Sequence, residues 1–107
     1  MSPITIHVLD TARGQPARGI AVTLEFEIEG RWSKIGEGKT DTDGRVRDLL
    51  PADVSLSTGT YRLNFATAAY SSFYPSVEVS FVVEDPSQHY HIPLLLSPFG
   101  YSTYRGS

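Results

Sequence analysis

Hydrophobic and polar residues alternate along most of the chain, the pattern of β-strands whose two faces meet different environments. The longest alternation runs from residue 20 to residue 28, with Thr23, Glu25 and Glu27 on its polar face. Its apolar face, expected in the core, is made of Ile20, Val22, Leu24, Phe26 and Ile28. Similar patterns predict strands at 4–9, 32–40, from Arg45, at 61–66, 77–83, 89–97 and near Tyr101.

Turn-forming residues separate these segments. Glu29-Gly30-Arg31 predicts a tight hairpin, and Asp41-Thr42-Asp43-Gly44 predicts a turn before Arg45. Thr67 is placed to cap one short helix across residues 68–72. Seven to eight short strands with one short helix indicate an all-β fold, a β-sandwich. The 107 residues are enough for a single domain, residues 1–107.

Composition excludes several classes of protein and site. The chain has no cysteine, which removes disulfides, thiolate metal sites and cysteine nucleophiles. The net charge is −3 and the basic residues are scattered, so we expect no nucleic-acid partner. No apolar run reaches the ~20 residues that cross a bilayer, and the start lacks the features of a secretory signal. We therefore expect a cytoplasmic protein without a membrane partner.

The three histidines are the first candidates for chemistry. His7 lies on the opposite face of its strand from the apolar residues, while His89 and His91 share one face because they are two residues apart. The pair is compatible with a solvated edge, a catalytic pair, or a metal site completed by His7. No acidic residue near the pair is an obvious partner for metal-bound imidazoles.

Two arginines, an acidic turn and several serines are further candidates. Arg45 is either a solvated turn residue or a planar cation for an anionic or carbonyl-rich ligand, and Arg105 has the same alternatives. A calcium loop starting at Asp41 would need a glutamate at its twelfth position, which is Ala52 here. No Gly-x-Ser-x-Gly elbow surrounds any candidate serine nucleophile.

Three segments together resemble the 5-hydroxyisourate hydrolases, the enzyme branch of the transthyretin-like proteins. They are residues 4–17 (ITIHVLDTARGQPA), residues 38–45 with Gly38-Lys39-Thr40 and Asp43-Gly44-Arg45, and residues 89–107 with the terminal Tyr-Arg-Gly-Ser. The resemblance extends over the whole chain. It departs at residues 73–76, where Phe-Tyr-Pro-Ser stands in place of the more usual Phe-Phe-Pro-Glu.

The resemblance implies a transthyretin-like (prealbumin-like) sandwich that hydrolyses the N1–C6 amide bond of 5-hydroxyisourate without a metal or cofactor. It implies four catalytic residues: His7, Arg45, His91 and Ser107. It implies substrate contacts from His7, Arg45, Tyr104, Arg105, Gly106 and Ser107. His89 is a weaker candidate, because the family motif points to the second histidine of the pair. The implied assembly is a homotetramer, a dimer of dimers with its sites at the dimer–dimer interface.

Two other functions remain alternatives. A small-molecule carrier of the same fold would line an interface channel with apolar side chains, whereas His7, Arg45 and His91 would make this channel polar. A β-sandwich interaction module would be monomeric. The polar residues and the terminal signature favour the hydrolase.

Overall fold

The computed structural model describes residues 2–106, which form nine strands in two β-sheets. The strands are β1 (Ile4–Asp10), β2 (Gln15–Pro16), β3 (Ala21–Ile28), β4 (Arg31–Lys39), β5 (Arg45–Val46), β6 (Gly59–Ala66), β7 (Ser76–Val83), β8 (Tyr90–Ser97) and β9 (Gly100–Thr103). The all-β sandwich expected from the alternation is confirmed. The one strand that the alternation did not predict is β2, which is only two residues long.

Each sheet follows a simple order. The first runs β2-β1-β8-β9, with β5 also paired to β1, and the second runs β4-β3-β6-β7. Strands β1 and β8 are parallel, and every other pairing among the nine strands is antiparallel. The predicted hairpin at Glu29-Gly30 joins β3 to β4. Both residues have positive φ, which a two-residue turn of type I′ requires.

The core lies between the sheets and is built from the alternate residues of the central strands. The hydrophobic residues with at most 5% exposure there are Ile4, Ile6, Val8, Val22, Leu24, Tyr61, Leu63, Phe65, Tyr90, Ile92, Leu94 and Leu96. Ile28 was expected in this core, and that expectation is wrong: its side chain is 53% exposed. The reason is its place at the tip of the β3–β4 hairpin, paired with Arg31.

The short helix expected over residues 68–72 is also wrong. The backbone makes a single turn there, in which the N–H groups of Tyr70 and Ser71 both donate to the Thr67 carbonyl. The Ser71 hydroxyl then donates to the Pro98 carbonyl and accepts from Tyr74 N–H, which ties the segment to another loop. One turn makes too few hydrogen bonds to offset the unfavourable free energy of helix nucleation. No helix among residues 2–106 is long and apolar enough to span a membrane.

Candidate active site

The outer face of the first sheet brings together His7, Arg45 and His91. In the antiparallel pairing of β1 with β5, His7 is the Cα partner of Arg45. On the other side of β1, the parallel strand β8 carries His91 opposite Thr5. The imidazole centroids of His7 and His91 are 6.5 Å apart with a 38° angle between the rings. All three side chains are half-buried, so they form an accessible cluster on a rigid sheet.

A tight turn holds Arg45 in this register. Asp41 Oδ1 accepts hydrogen bonds from the backbone N–H groups of Asp43, at 2.9 Å, and Arg45, at 3.0 Å. Gly44 has φ +75°, and a Cβ atom there would run into the Val8 carbonyl oxygen. Glycine is therefore required for the turn to lie against β1. The other carboxylate oxygen of Asp41 accepts from the Arg47 guanidinium at 3.0 Å.

The C-terminal segment returns to the same cluster through Gly106. Its N–H donates to the His91 carbonyl at 2.8 Å, and the two residues form an isolated antiparallel bridge. A Cβ atom on Gly106 would lie 2.7 Å from His91 Cδ2, so the backbone packs directly on the imidazole. Ser107, the fourth expected catalytic residue, lies outside the described residues.

The two preceding tail residues do not join the cluster. The Arg105 guanidinium lies 4.5 Å from the centroid of the Tyr90 ring and donates to Gln88 Oε1 at 2.6 Å. Tyr90 is 4% exposed. Because it is two residues from Ile92, it lies on the core face of β8, opposite to the face that carries His91. Tyr104 is 58% exposed. The described contacts of Arg105 are therefore with Tyr90 and Gln88, on the side of β8 away from His91, and its contact with substrate stays a prediction.

Thr5 is a residue of the cluster that the sequence interpretation missed. Its hydroxyl lies 2.9 Å from His89 Nε2 and 2.8 Å from His91 Nδ1, and the residue is 8% exposed. The available signal was its position two residues before His7, on the same face of β1. The pairing with β8 was needed to show that both histidines meet there.

The electrostatics keep both site histidines neutral near pH 7. Burial lowers the pKa of His7, and the Arg45 guanidinium lowers it further; a hydrogen bond with the Asp43 backbone and the carboxylates of Asp41 and Asp43 oppose this. Burial also lowers the pKa of His91, with Arg45, His7 and His89 acting in the same direction, while a hydrogen bond with the Thr5 backbone opposes them. A neutral imidazole accepts a proton at one nitrogen and donates from the other.

The cluster therefore provides two proton-transfer groups beside one permanent cation. This combination suits a reaction in which a proton is removed, negative charge develops on an oxygen, and a proton is returned to a leaving group. Within residues 2–106, no group of three or more His, Cys, Asp or Glu side chains is arranged to hold a metal ion.

Comparison with known proteins assigns the fold family. The sequence profile of the HIUase/Transthyretin family matches residues 4–106. The chain belongs to this family. A probable 5-hydroxyisourate hydrolase of Caenorhabditis elegans is 48% identical over 110 residues, covering 97% of this chain and 81% of the relative.

Solved structures of the HIUase/Transthyretin family fit the same backbone. Sea bream transthyretin in complex with thyroxine superposes with a TM-score of 0.89 at 32% identity, covering 98% of this chain and 95% of that one. The 5-hydroxyisourate hydrolase of Klebsiella pneumoniae gives a TM-score of 0.80 at 33% identity, covering 97% and 98%. The transthyretin-like fold expected from the sequence is confirmed. A transthyretin solved with thyroxine and a hydrolase thus share one backbone, and the side chains of the site have to distinguish them.

Proposed function

We propose that this protein is a 5-hydroxyisourate hydrolase. The reaction opens the six-membered ring of 5-hydroxyisourate at its N1–C6 amide bond and yields 2-oxo-4-hydroxy-4-carboxy-5-ureidoimidazoline. The observation that carries the proposal is the meeting of His7, Arg45 and His91 on one sheet face. The names of the Caenorhabditis elegans and Klebsiella pneumoniae relatives support the same activity.

In the proposed mechanism, the first step is activation of water by one of the two histidines. A neutral imidazole takes one proton from the water as the oxygen attacks C6 of the substrate. The lowered pKa of both His7 and His91 keeps the accepting form abundant at neutral pH. The imidazolium formed in this way returns that proton to N1 as the C6–N1 bond breaks, either directly or by relay through the neutral imidazole of the other histidine, so the proton count balances. The two imidazoles, with centroids 6.5 Å apart, leave room for a substrate atom to interact with both.

Arg45 stabilises the negative charge that develops on the C6 oxygen. A guanidinium keeps its charge at every pH of interest and offers several N–H donors in one plane, which matches a flat substrate rich in carbonyl groups. Such preorganised charge contributes several kcal/mol to the transition state, on the order of 2.7–4 kcal/mol per donor in other hydrolases. Ser107, next to Gly106 in the sequence, is proposed to orient the water or the substrate.

A carrier of small aromatic molecules is the second candidate, since sea bream transthyretin has the same fold and was solved with thyroxine. A carrier stabilises its ligand mainly through apolar contact in a shaped cavity. The outer face of the first sheet instead presents two imidazoles and a guanidinium, which favours catalysis over simple ligand binding.

We also propose a homotetramer, a dimer of dimers with the sites at the dimer–dimer interface. The cluster is on an open sheet face, so a second copy facing it would enclose the substrate. Two large aromatic side chains support association at another place: Phe73 is 62% exposed and Phe99 78% exposed, with ring centroids 6.0 Å apart. Such a patch favours contact with another chain.

The test is a direct assay. Urate oxidase generates 5-hydroxyisourate from urate in the cuvette, and its ultraviolet decay is followed with and without the protein. The hydrolase accelerates the decay well above the spontaneous rate, and its mass by light scattering is that of four chains. A folded tetramer that leaves the decay unchanged but binds thyroxine would replace the enzyme with the carrier.

A further inference from the structure

A single hydroxyl group joins two histidines behind the reaction site. Thr5 Oγ1 is 2.9 Å from His89 Nε2 and 2.8 Å from His91 Nδ1, so both contacts are of hydrogen-bond length. The catalytic scheme uses His91 and does not use Thr5 or His89. The two hydrogen-bond contacts of Thr5 therefore have no role in that scheme.

The fold makes this contact from three separate features. Parallel pairing sets Thr5 opposite His91 across β1 and β8. His89 is two residues earlier than His91, on the same face, and immediately precedes β8. Thr5 is 8% exposed, so little water competes for its hydroxyl, while His89 is an exposed residue.

Counting protons restricts the arrangement. A hydroxyl has one proton to donate, and each neutral imidazole has one N–H and one bare nitrogen. The Thr5 hydroxyl therefore satisfies both neutral rings only by donating to one and accepting from the other. Two arrangements result: Thr5 donates to His91 Nδ1 and leaves the His91 proton on Nε2, or Thr5 donates to His89 Nε2 and accepts from His91 Nδ1–H.

Only the second arrangement suits a histidine that gains and loses a proton during the reaction. With Nδ1–H already bound to Thr5, the neutral His91 presents a bare Nε2, and the protonated His91 presents Nε2–H with no other rearrangement. The first arrangement leaves the neutral ring without an acceptor at Nε2. A base whose far nitrogen is fixed by another group is the usual organisation of a proton-transfer histidine.

We propose that Thr5 and His89 are positioning residues for His91: the Thr5 hydroxyl accepts from His91 Nδ1–H and donates to His89 Nε2, so that proton exchange is confined to His91 Nε2. This inference rests on the proposed hydrolase activity for its role in catalysis, but the hydrogen-bond chain exists independently of that activity. Besides His89, the charged and titratable groups acting on His91 are His7 on β1 and Arg45 on β5.

The decisive measurement is the tautomer of His91 by NMR on the full-length protein with ¹⁵N-labelled histidine, because the two imidazole nitrogens have different shifts when protonated. We expect the Nδ1–H form at a pH where His89 and His91 are neutral. Thr5→Val, which keeps the shape and removes the hydroxyl, should abolish this preference, and Thr5→Ser should restore it. His89→Leu should move the proton of His91 towards Nε2, because the Thr5 hydroxyl then has only His91 Nδ1 to donate to.

Kinetics provide the second measurement. Thr5→Val should lower kcat by about tenfold, less than the ~10²–10⁴-fold that a general acid or base contributes, because His91 itself is kept, and it should shift the pH profile. Thr5→Ser should stay close to the unmodified protein. Thr11→Val is the matched control, because Thr11 directly follows β1 and its hydroxyl donates to Leu96 O of β8 at 3.0 Å, at the far end of the strands. The control should leave the His91 tautomer and kcat unchanged.

The outcomes separate the two proposals. An Nε2–H tautomer in the unmodified protein, or an unchanged tautomer in Thr5→Val, would overturn the positioning role even if the protein hydrolyses 5-hydroxyisourate. A protein with the Nδ1–H tautomer that fails to accelerate the decay of 5-hydroxyisourate would keep the hydrogen-bond chain and remove the hydrolase.

Discussion

Gly106 packs on the His91 imidazole so closely that no side chain fits between them. A Cβ atom at residue 106 would lie 2.7 Å from His91 Cδ2 and 3.2 Å from the His91 carbonyl oxygen. Gly106→Ala should therefore displace the ring or the tail and lower kcat by about 10- to 100-fold, since displacement of about 1 Å in an active site has effects of that size. The assay is 5-hydroxyisourate decay, with the melting temperature measured in parallel.

Gly100→Ala is the control for this prediction. Its Cβ atom would lie 3.5 Å from Ser97 Oγ, an ordinary contact on the neighbouring turn. It should retain full activity. Unreduced activity in Gly106→Ala would mean that the close approach to His91 has no part in catalysis.

Arg45 should control the pKa of both site histidines. Its charge disfavours the imidazolium form of His7 and of His91, so Arg45→Gln should raise the pKa of both rings. Titration of the ring protons by NMR measures this directly. Because the two histidines then stay protonated to higher pH, the acidic limb of the activity profile should move to higher pH.

Arg45→Lys separates the charge from the shape of the guanidinium. Lysine keeps the positive charge, so the pKa of His7 and His91 should remain low, but it lacks the planar set of donors. We expect Arg45→Lys to lose catalysis and to leave the histidine titrations near those of the unmodified protein. An unchanged pKa in Arg45→Gln would contradict the electrostatic role.

The sequence was sufficient for eight of the nine strands and for the orientation of His7, although it misplaced Ile28 at the tip of a hairpin. Alternation in β1 predicted that His7 faces away from Ile6 and Val8, and the buried pattern of that strand agrees. The hairpin at Glu29-Gly30 was also predicted correctly, because a tight turn depends only on the residues within it. Local patterns determine which face a side chain occupies, because the period of a strand is fixed at two.

The composition of the site depended on pairings that local patterns do not contain. Arg45 reaches His7 because a two-residue strand pairs with β1, and His91 reaches Thr5 because β1 and β8 run parallel. The family resemblance supplied His7, Arg45 and His91, but neither it nor the spacing indicated Thr5. The resemblance also did not predict where the Arg105 side chain lies, because its position depends on contacts with Tyr90 and Gln88.

Either site histidine should be essential for turnover and dispensable for folding. His7→Asn and His91→Asn remove a proton-transfer group from the outer sheet face, so each should lower kcat by about 10²–10⁴-fold. The core residues between the sheets are untouched, and circular dichroism and the mass in solution should stay those of the unmodified protein. Near-normal turnover in either variant would remove that residue from the mechanism.

Chelators should have no effect on the reaction. The proposed chemistry needs two imidazoles and a guanidinium, and residues 2–106 contain no group of three or more candidate ligands arranged around one point. Excess EDTA, followed by dialysis, should leave the rate of 5-hydroxyisourate decay unchanged. Activity that is lost to EDTA and restored by zinc would instead favour metal binding by the histidines.

Arg105 should act on the reaction through Gln88 and Tyr90. If its role is to anchor the tail, Arg105→Gln and Gln88→Met should each lower kcat/KM about three- to tenfold, the effect of one lost hydrogen bond. The double variant should then lose less than the product of the two, because both changes break the same contact. If Arg105 contacts the substrate directly, Arg105→Gln alone should be impaired and Gln88→Met should behave like the unmodified protein. Steady-state kinetics of the four proteins decide between a tail anchor and a substrate ligand.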